Sequence, residues 1–219
     1  MNTARYDDLM NYLRDLRENL LQVAVYSGYD SIGHAVLIFE DDPPSFFEVL
    51  QPLVRVIRKR RLPEPLIVNR VFVESSLDSY PLEFLNMQTS YRNLLANTDI
   101  LKGLMFAKAD LRLQMERELR SKWLLTRQAV LENPYKLAQV RDAIQRSRTA
   151  IHPVLKGFFA LVDRTIPAKL DEALAGAENI SGVELGPLTI PITGILDANR
   201  YISTLNALIS RVQGWAGAL

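Results

Sequence analysis

Two short stretches carry the residues of this chain best suited to chemistry. Ser27-Gly28-Tyr29-Asp30 reads as a turn between two apolar runs, and Glu40-Asp41 closes the second run. A glycine-containing turn can offer backbone amides to an anion, and carboxylates are the hard oxygen donors that hold a divalent cation against phosphate oxygens. Ser27, Gly28 and Asp30 are therefore candidate substrate-binding residues, and Asp30, Glu40 and Asp41 a candidate metal set. His34 sits beside Ala35 and Val36. A single histidine on an apolar strand reads as a hydrogen-bonded core residue ahead of a general base or pH switch.

Three further groups have a chemical reading and a structural one. Arg55, Arg58, Lys59, Arg60 and Arg61 end a helical segment. They could meet phosphates, but cations at a helix C-terminus also complement its dipole, and that reading is preferred. Arg112, Glu116 and Arg120 form an i,i+4 charge ladder, which with Arg117, Glu118, Lys122 and Arg127 could tie its helix to Glu83 of the preceding one. Arg146 and His152, the only other histidine, are read as an incidental pairing.

The elements that must position these residues follow from periodicity. Tyr6 to Leu21 has Leu9, Tyr12, Leu13, Leu16, Leu20 and Leu21 at helical spacing, so an amphipathic opening helix is predicted. Residues 22–26 and 35–39 read as neighbouring strands, with residues 41–45 stopping the second. Ser45 followed by Glu48 suggests a capping box for a helix from Phe46 to Arg61, closed by Pro63. Residues 66–73 read as a third strand. From Leu82 onward the pattern is helical. Ala109 to Leu131 places Leu111, Met115, Leu119 and Trp123 on one stripe and stops at Asn133-Pro134; residues 134–161 form a helix broken near Pro153; helices follow at 168–177 and 198–215. The apolar, Gly/Pro-rich residues 179–193 are either a buried crossover or a contact surface. A boundary at Tyr80 divides residues 1–80 from 81–219.

Composition narrows the function classes. Lys+Arg of 26 against Asp+Glu of 25 gives a net charge of +1, so no global field attracts nucleic acid or an anionic membrane. Cysteine is absent, which excludes disulfides, thiolate metal sites and a thiol nucleophile. The acidic start, Met1 to Asp8, lacks the apolar core of a signal peptide, and no run approaches the ~20 apolar residues of a membrane span. A cytoplasmic protein without a membrane partner is expected.

Pro81-Leu82-Glu83-Phe84-Leu85, Tyr91-Arg92-Asn93-Leu94-Leu95 and the segment from Ala109 to Lys122 resemble the fold-completing part of a nucleotidyltransferase-like family of bacteria and archaea. The resemblance covers about the first two thirds of the chain. It implies an α/β (α+β) nucleotidyltransferase-like domain at 1–80, followed by an all-helical bundle domain at 81–219. Active members carry a Gly-Ser turn and a strand with two alternating aspartates, which hold Mg²⁺ and a nucleotide. Here Ser27-Gly28 inverts the turn, and Ile32 and His34 stand where the aspartates would be. The C-terminal helices are similar to HEPN domains, some of which carry an Arg-x4-6-His ribonuclease motif, a spacing that Arg146 and His152 match.

The expected protein is thus a non-catalytic, nucleotidyltransferase-like binding or regulatory protein, self-associating through its helical half and needing no cofactor. One alternative is a divergent metal-dependent nucleotidyltransferase using Asp30, Glu40 and Asp41 with Mg²⁺ and nucleotide. The other is a nucleic-acid-associated protein of toxin-antitoxin type, a partner class that is possible but not favoured.

Overall fold

A computed structural model describes residues 6–16, 18–30, 32–43, 45–133 and 135–215. The chain is of the mixed α+β class and divides into two compact units, one of Met1–Asp78 with Asn86–Met105 and the other of Ser79–Leu85 with Phe106–Leu219.

The first unit is built on a sheet of four strands in the order β3-β2-β1-β4. Strands β1 (Leu20–Ser27) and β2 (Gly33–Phe39) form an antiparallel hairpin, with Leu20 opposite Phe39 and Ser27 opposite Gly33. Strand β3 (Leu66–Asn69) runs parallel to β2, and β4 (Arg92–Ala96) antiparallel to β1. Alternation puts Val23 and Val25 of β1 with Ala35, Leu37 and Phe39 of β2 in one core. Helix α1 (Asp7–Tyr12) closes it with Leu9, and α2 (Phe46–Arg60) with Leu50 and Leu53.

Four local predictions change here. The opening helix is shorter than Tyr6 to Leu21: α1 ends at Tyr12, a 3-10 turn spans Leu13–Leu16, and Leu20 already pairs with Phe39. Tertiary pairing of Leu20 and Leu21 overrides their helical phase. The third strand stops at Asn69 instead of residue 73, because the Asn69 side chain accepts the Phe72 amide at 2.8 Å and caps α3 (Arg70–Ser75). No capping box forms at Ser45, whose backbone is left-handed at φ 53° and whose side chain caps nothing. The helical run expected from Leu82 is interrupted by β4, which joins the sheet through Val23–Leu95 and Ala24–Asn93 pairing. Residues 86–105 consequently belong to the sheet unit. Pro44 and Pro134, read as stops, and Arg17 of the opening helix lie outside the described residues.

The second unit is helical. The chain enters it at α4 (Pro81–Gln88), whose first turns belong to this unit, and returns with α5 (Lys108–Glu132), the central helix, which packs against α6 (Leu137–Ala150), α7 (His152–Leu161) and α9 (Ile195–Gly214). Leu111, Met115 and Leu119 of α5 are buried, as their spacing requires. Trp123, expected on the same stripe, is only half-buried, and the Arg127 guanidinium lies 4.3 Å from its ring centre. The break predicted near Pro153 falls at Ile151, with the proline in the first turn of α7, where its missing amide costs no hydrogen bond.

The segment between α8 (Leu170–Ser181) and α9 is the buried crossover of the two readings. Gly182 ends α8 in the left-handed region at φ 69°, and Leu185, Leu188 and Ile192 are buried. Two arginines of α6 satisfy carbonyls of this segment, Arg141 donating to Ile192 at 3.2 Å and Arg148 to Ile190. Asp197 then caps α9, accepting from the Thr193 and Gly194 amides and the Thr193 hydroxyl, bonds that hold its carboxyl below the usual aspartate range. Leu205, Leu208, Ile209 and Val212 of α9 are interior as well. Ile202 of α9, with Val183 and Ile190 of the preceding segment, is only half-buried.

Candidate functional site

The turn between β1 and β2 gathers Ser27, Gly28 and Asp30, but their groups are engaged locally. The Ser27 carbonyl accepts the Ser90 hydroxyl at 2.7 Å. Asp30 Oδ1 accepts the Ile32 amide at 3.1 Å, an Asx turn that shapes the hairpin loop. Gly28 has no positive φ, and a Cβ there would meet only the Asp30 side chain, 3.4 Å away. Nothing in the backbone demands glycine at this position for a close-approaching phosphate.

Glu40 and Asp41 lie at the other end of the hairpin. The seven residues of β2 separate Asp30 from Glu40, a run of about 20–25 Å at ~3.4 Å per residue. One cation, bound within ~2.6 Å of each ligand oxygen, cannot touch both ends. Glu40 is also committed elsewhere: Arg70 Nε donates to Oε1 at 2.8 Å and Nη2 to Oε2 at 3.0 Å. This two-pronged pair holds the Glu40 carboxyl below its ordinary range, chiefly through the hydrogen bonds from Arg70. The Asp41 backbone exchanges two bonds with the Asn19 side chain, at 2.8 and 3.2 Å. The set Asp30, Glu40 and Asp41 does not converge, and among the described residues no group of three His, Asp or Glu side chains is placed to hold a metal ion. These residues do not fit Mg²⁺. Ile32, where an aspartate would stand, is exposed, and His34 stacks on Tyr26 across the hairpin with ring centres 5.7 Å apart.

Arg58, Lys59 and Arg60 occupy the last turn of α2 and point to solvent, with Arg61 closing the helix at φ 50°. Glu116 bonds both Arg112 and Arg120 at 2.9 Å, so the ladder forms. Its link to Glu83 does not run through the arginines. Gln114 makes it, donating to Glu83 Oε2 at 2.5 Å and accepting the Leu82 amide at 2.7 Å. Lys122 pairs with Glu118. Arg146 is exposed on α6, His152 opens α7, and Ser147 between them is buried and bonded to Tyr201.

A polar cluster that the sequence reading missed lies on the sheet. Gln22, fully buried in β1, donates to Asn93 Oδ1 at 2.7 Å and to Asp99 Oδ1 at 2.9 Å, while its own Oε1 accepts the Leu101 amide at 3.1 Å. Asp99 also accepts from Asn93 and from the Tyr91 hydroxyl, both at 3.0 Å. Burial, and then the Asp99 carboxylate, push the Tyr91 phenol up to about 12. These bonds, made within the cluster, fasten residues 97–103 onto β1. Comparison with protein-family models, with curated proteins and with solved structures yields no match.

Proposed function

We propose that this chain is a non-catalytic binding or regulatory protein whose sheet unit is a nucleotidyltransferase-like scaffold without metal-dependent transfer chemistry. The observation that carries the reading is the placement of the carboxylates: Asp30 and Glu40 stand at opposite ends of β2, and Glu40 is held by Arg70 through both oxygens. The scaffold half of the reading is supported by the order of elements, a helix, an antiparallel hairpin and a helical crossover to a parallel third strand.

The test is thermal. A ligand that binds only the folded state raises stability as RT ln(1 + [L]/Kd), so Mg²⁺ with ATP or CTP should leave the melting temperature where it is. A reproducible rise of several degrees that disappears in Asp30→Asn would replace this reading with that of a divergent transferase.

A further inference from the structure

Helices α5 and α6 pack against each other, and a groove of about 360 Å³ lies between them. From α5 it is lined by Lys122, Leu125, Thr126 and Ala129, and from α6 by Ala143, Arg146, Ser147 and Ala150. Each set follows the i, i+3, i+4, i+7 spacing of one helix face. A helix seam is normally filled by branched apolar side chains that interdigitate. Here three of the eight positions are alanine and two carry small hydroxyls, so the seam stays open. Its volume lies in the range of small-ligand sites.

Three of the four polar groups at this seam, Thr126, Ser147 and Arg146, keep hydrogen-bonding or charge capacity that the described residues do not use. Thr126 is 2% exposed and faces the groove, yet among the described residues its hydroxyl has no hydrogen-bond partner. Helical threonines ordinarily bond the carbonyl one turn back, as Thr149 does to Gln145 at 3.3 Å. Ser147, also buried, accepts the Tyr201 proton and keeps its own proton to donate. At the rim, Lys122 lies 3.3 Å from Glu118, whereas Arg146 has no ion pair among the described residues. Two cations and one carboxylate leave one positive charge unbalanced beside an apolar wall.

We infer that this groove binds a small monoanion with an apolar body, namely an aromatic or medium-chain carboxylate. The carboxylate takes the unbalanced charge of Arg146, with Lys122 beside it. The body lies along Leu125 and the three alanines, and a hydrogen-bonding group on it meets Thr126 and Ser147. A phosphate monoester fits less well, since it brings about two negative charges to a site with one to balance. The inference concerns the helical unit alone and stands or falls apart from the reading of the sheet unit.

The experiment uses the full chain and the fluorescence of 1-anilinonaphthalene-8-sulfonate, an aromatic monoanion, displaced by decanoate or by decanol. One saturable site per chain is expected, with decanoate displacing the probe at least about tenfold better than decanol, a difference worth one ion pair. Arg146→Gln should remove that advantage while leaving displacement by decanol unchanged. Ala143→Phe should close the groove and abolish probe binding, and Ala150→Leu provides a second, milder filling where the phenylalanine disturbs the fold. Melting temperatures near wild type certify each variant. The inference is overturned if probe binding survives in folded groove-filled variants, if decanoate and decanol compete equally, or if no saturable site exists. It is also overturned if light scattering shows a second copy of the chain leaving the groove on Ala150→Leu while the wild type binds no probe.

Discussion

Tyr201 donates its phenolic proton to the Ser147 hydroxyl across 2.7 Å, with both side chains buried. The bond ties α9 to α6, and Arg148, whose guanidinium lies 5.7 Å from the Tyr201 ring, ties the same place to the crossover at Ile190. Burial pushes the Tyr201 phenol up to about 12, against the opposing pull of Ser147 and Arg148. Its folded value thus exceeds the ordinary value of 10.0. The neutral phenol stabilises the fold fully below about pH 10, and that contribution is lost as pH rises toward about 12. Tyr201→Phe should cost about 1 kcal/mol at neutral pH, the net worth of one hydrogen bond, and its stability should fall less steeply between pH 10 and 12. Chemical denaturation across that range checks both, and an unchanged alkaline slope would remove Tyr201 as the titrating group.

Asp99 gathers Gln22, Tyr91 and Asn93 at one carboxylate. Its removal would strand several donors, each costing about 1–3 kcal/mol where it stays dry. Asp99→Ala is expected to be destabilising by at least ~2 kcal/mol and to raise hydrogen exchange at the Leu101 and Lys102 amides, which bond Gln22 and Asp99 directly. Asp99→Asn, which keeps the shape and one of the two acceptor oxygens, should cost less. Equal midpoints for the alanine variant and wild type would mean that water replaces the carboxylate freely.

The contrast between that cluster and the helices explains what the sequence makes legible. Over 20 to 25 residues a 3.6-residue period accumulates, so α5 and α9 are readable, and Pro153 marks the break between α6 and α7 by its own chemistry. Strand β4 has five residues, too few for a period, and one of its polar positions, Asn93, points to partners that no local pattern reveals. Gln22 is visible as the one polar residue in the run from Leu20 to Val25, but its partners lie 71 to 79 residues away. The candidate metal set is different: Asp30, Glu40 and Asp41 are close in sequence, and the strand read at 35–39, which spans Gly33–Phe39, is itself what holds Asp30 away from the other two. The signal for the end of β3 was present, since Asn69, the first polar residue after Leu66-Ile67-Val68, is a helix cap.

Gly176 of α8 offers a test of packing against propensity. Alanine is favoured over glycine inside a helix by about 1 kcal/mol. A Cβ at Gly176, however, would stand 2.4 Å from Phe159 Cζ and 2.7 Å from Cε1, which requires the buried ring to move. Overpacking of that kind costs roughly 1–3 kcal/mol, so Gly176→Ala should be destabilising on balance by about 1 kcal/mol. At Gly157 the nearest atoms are Met115 Sδ at 2.6 Å, Met115 Cγ at 3.0 Å and Leu82 Cδ2 at 3.1 Å, atoms of unbranched or terminal groups that can turn about more bonds than a phenyl ring. Gly157→Ala should therefore cost less. A more stable Gly176→Ala protein would show that the Phe159 ring yields without loss.

Leu119 and Trp123 sit one helical turn apart on α5 and differ in burial, and that difference sets an order. Leu119 is 0% exposed, while Trp123 is half-buried with its ring covered in part by Arg127. Deleting a fully buried leucine side chain loses its transfer free energy and leaves a cavity, together about 2–5 kcal/mol. Removing Trp123 deletes more atoms, but many already meet solvent or the aliphatic part of an arginine, so the structure can relax into the space. Leu119→Ala is expected to be the more destabilising of the two despite the smaller side chain, with Arg127→Ala below about 1 kcal/mol, the worth of an exposed cation–π contact. Urea midpoints for the three variants decide the order. A Trp123→Ala protein less stable than Leu119→Ala would place the core-facing side of α5 one turn further along the helix.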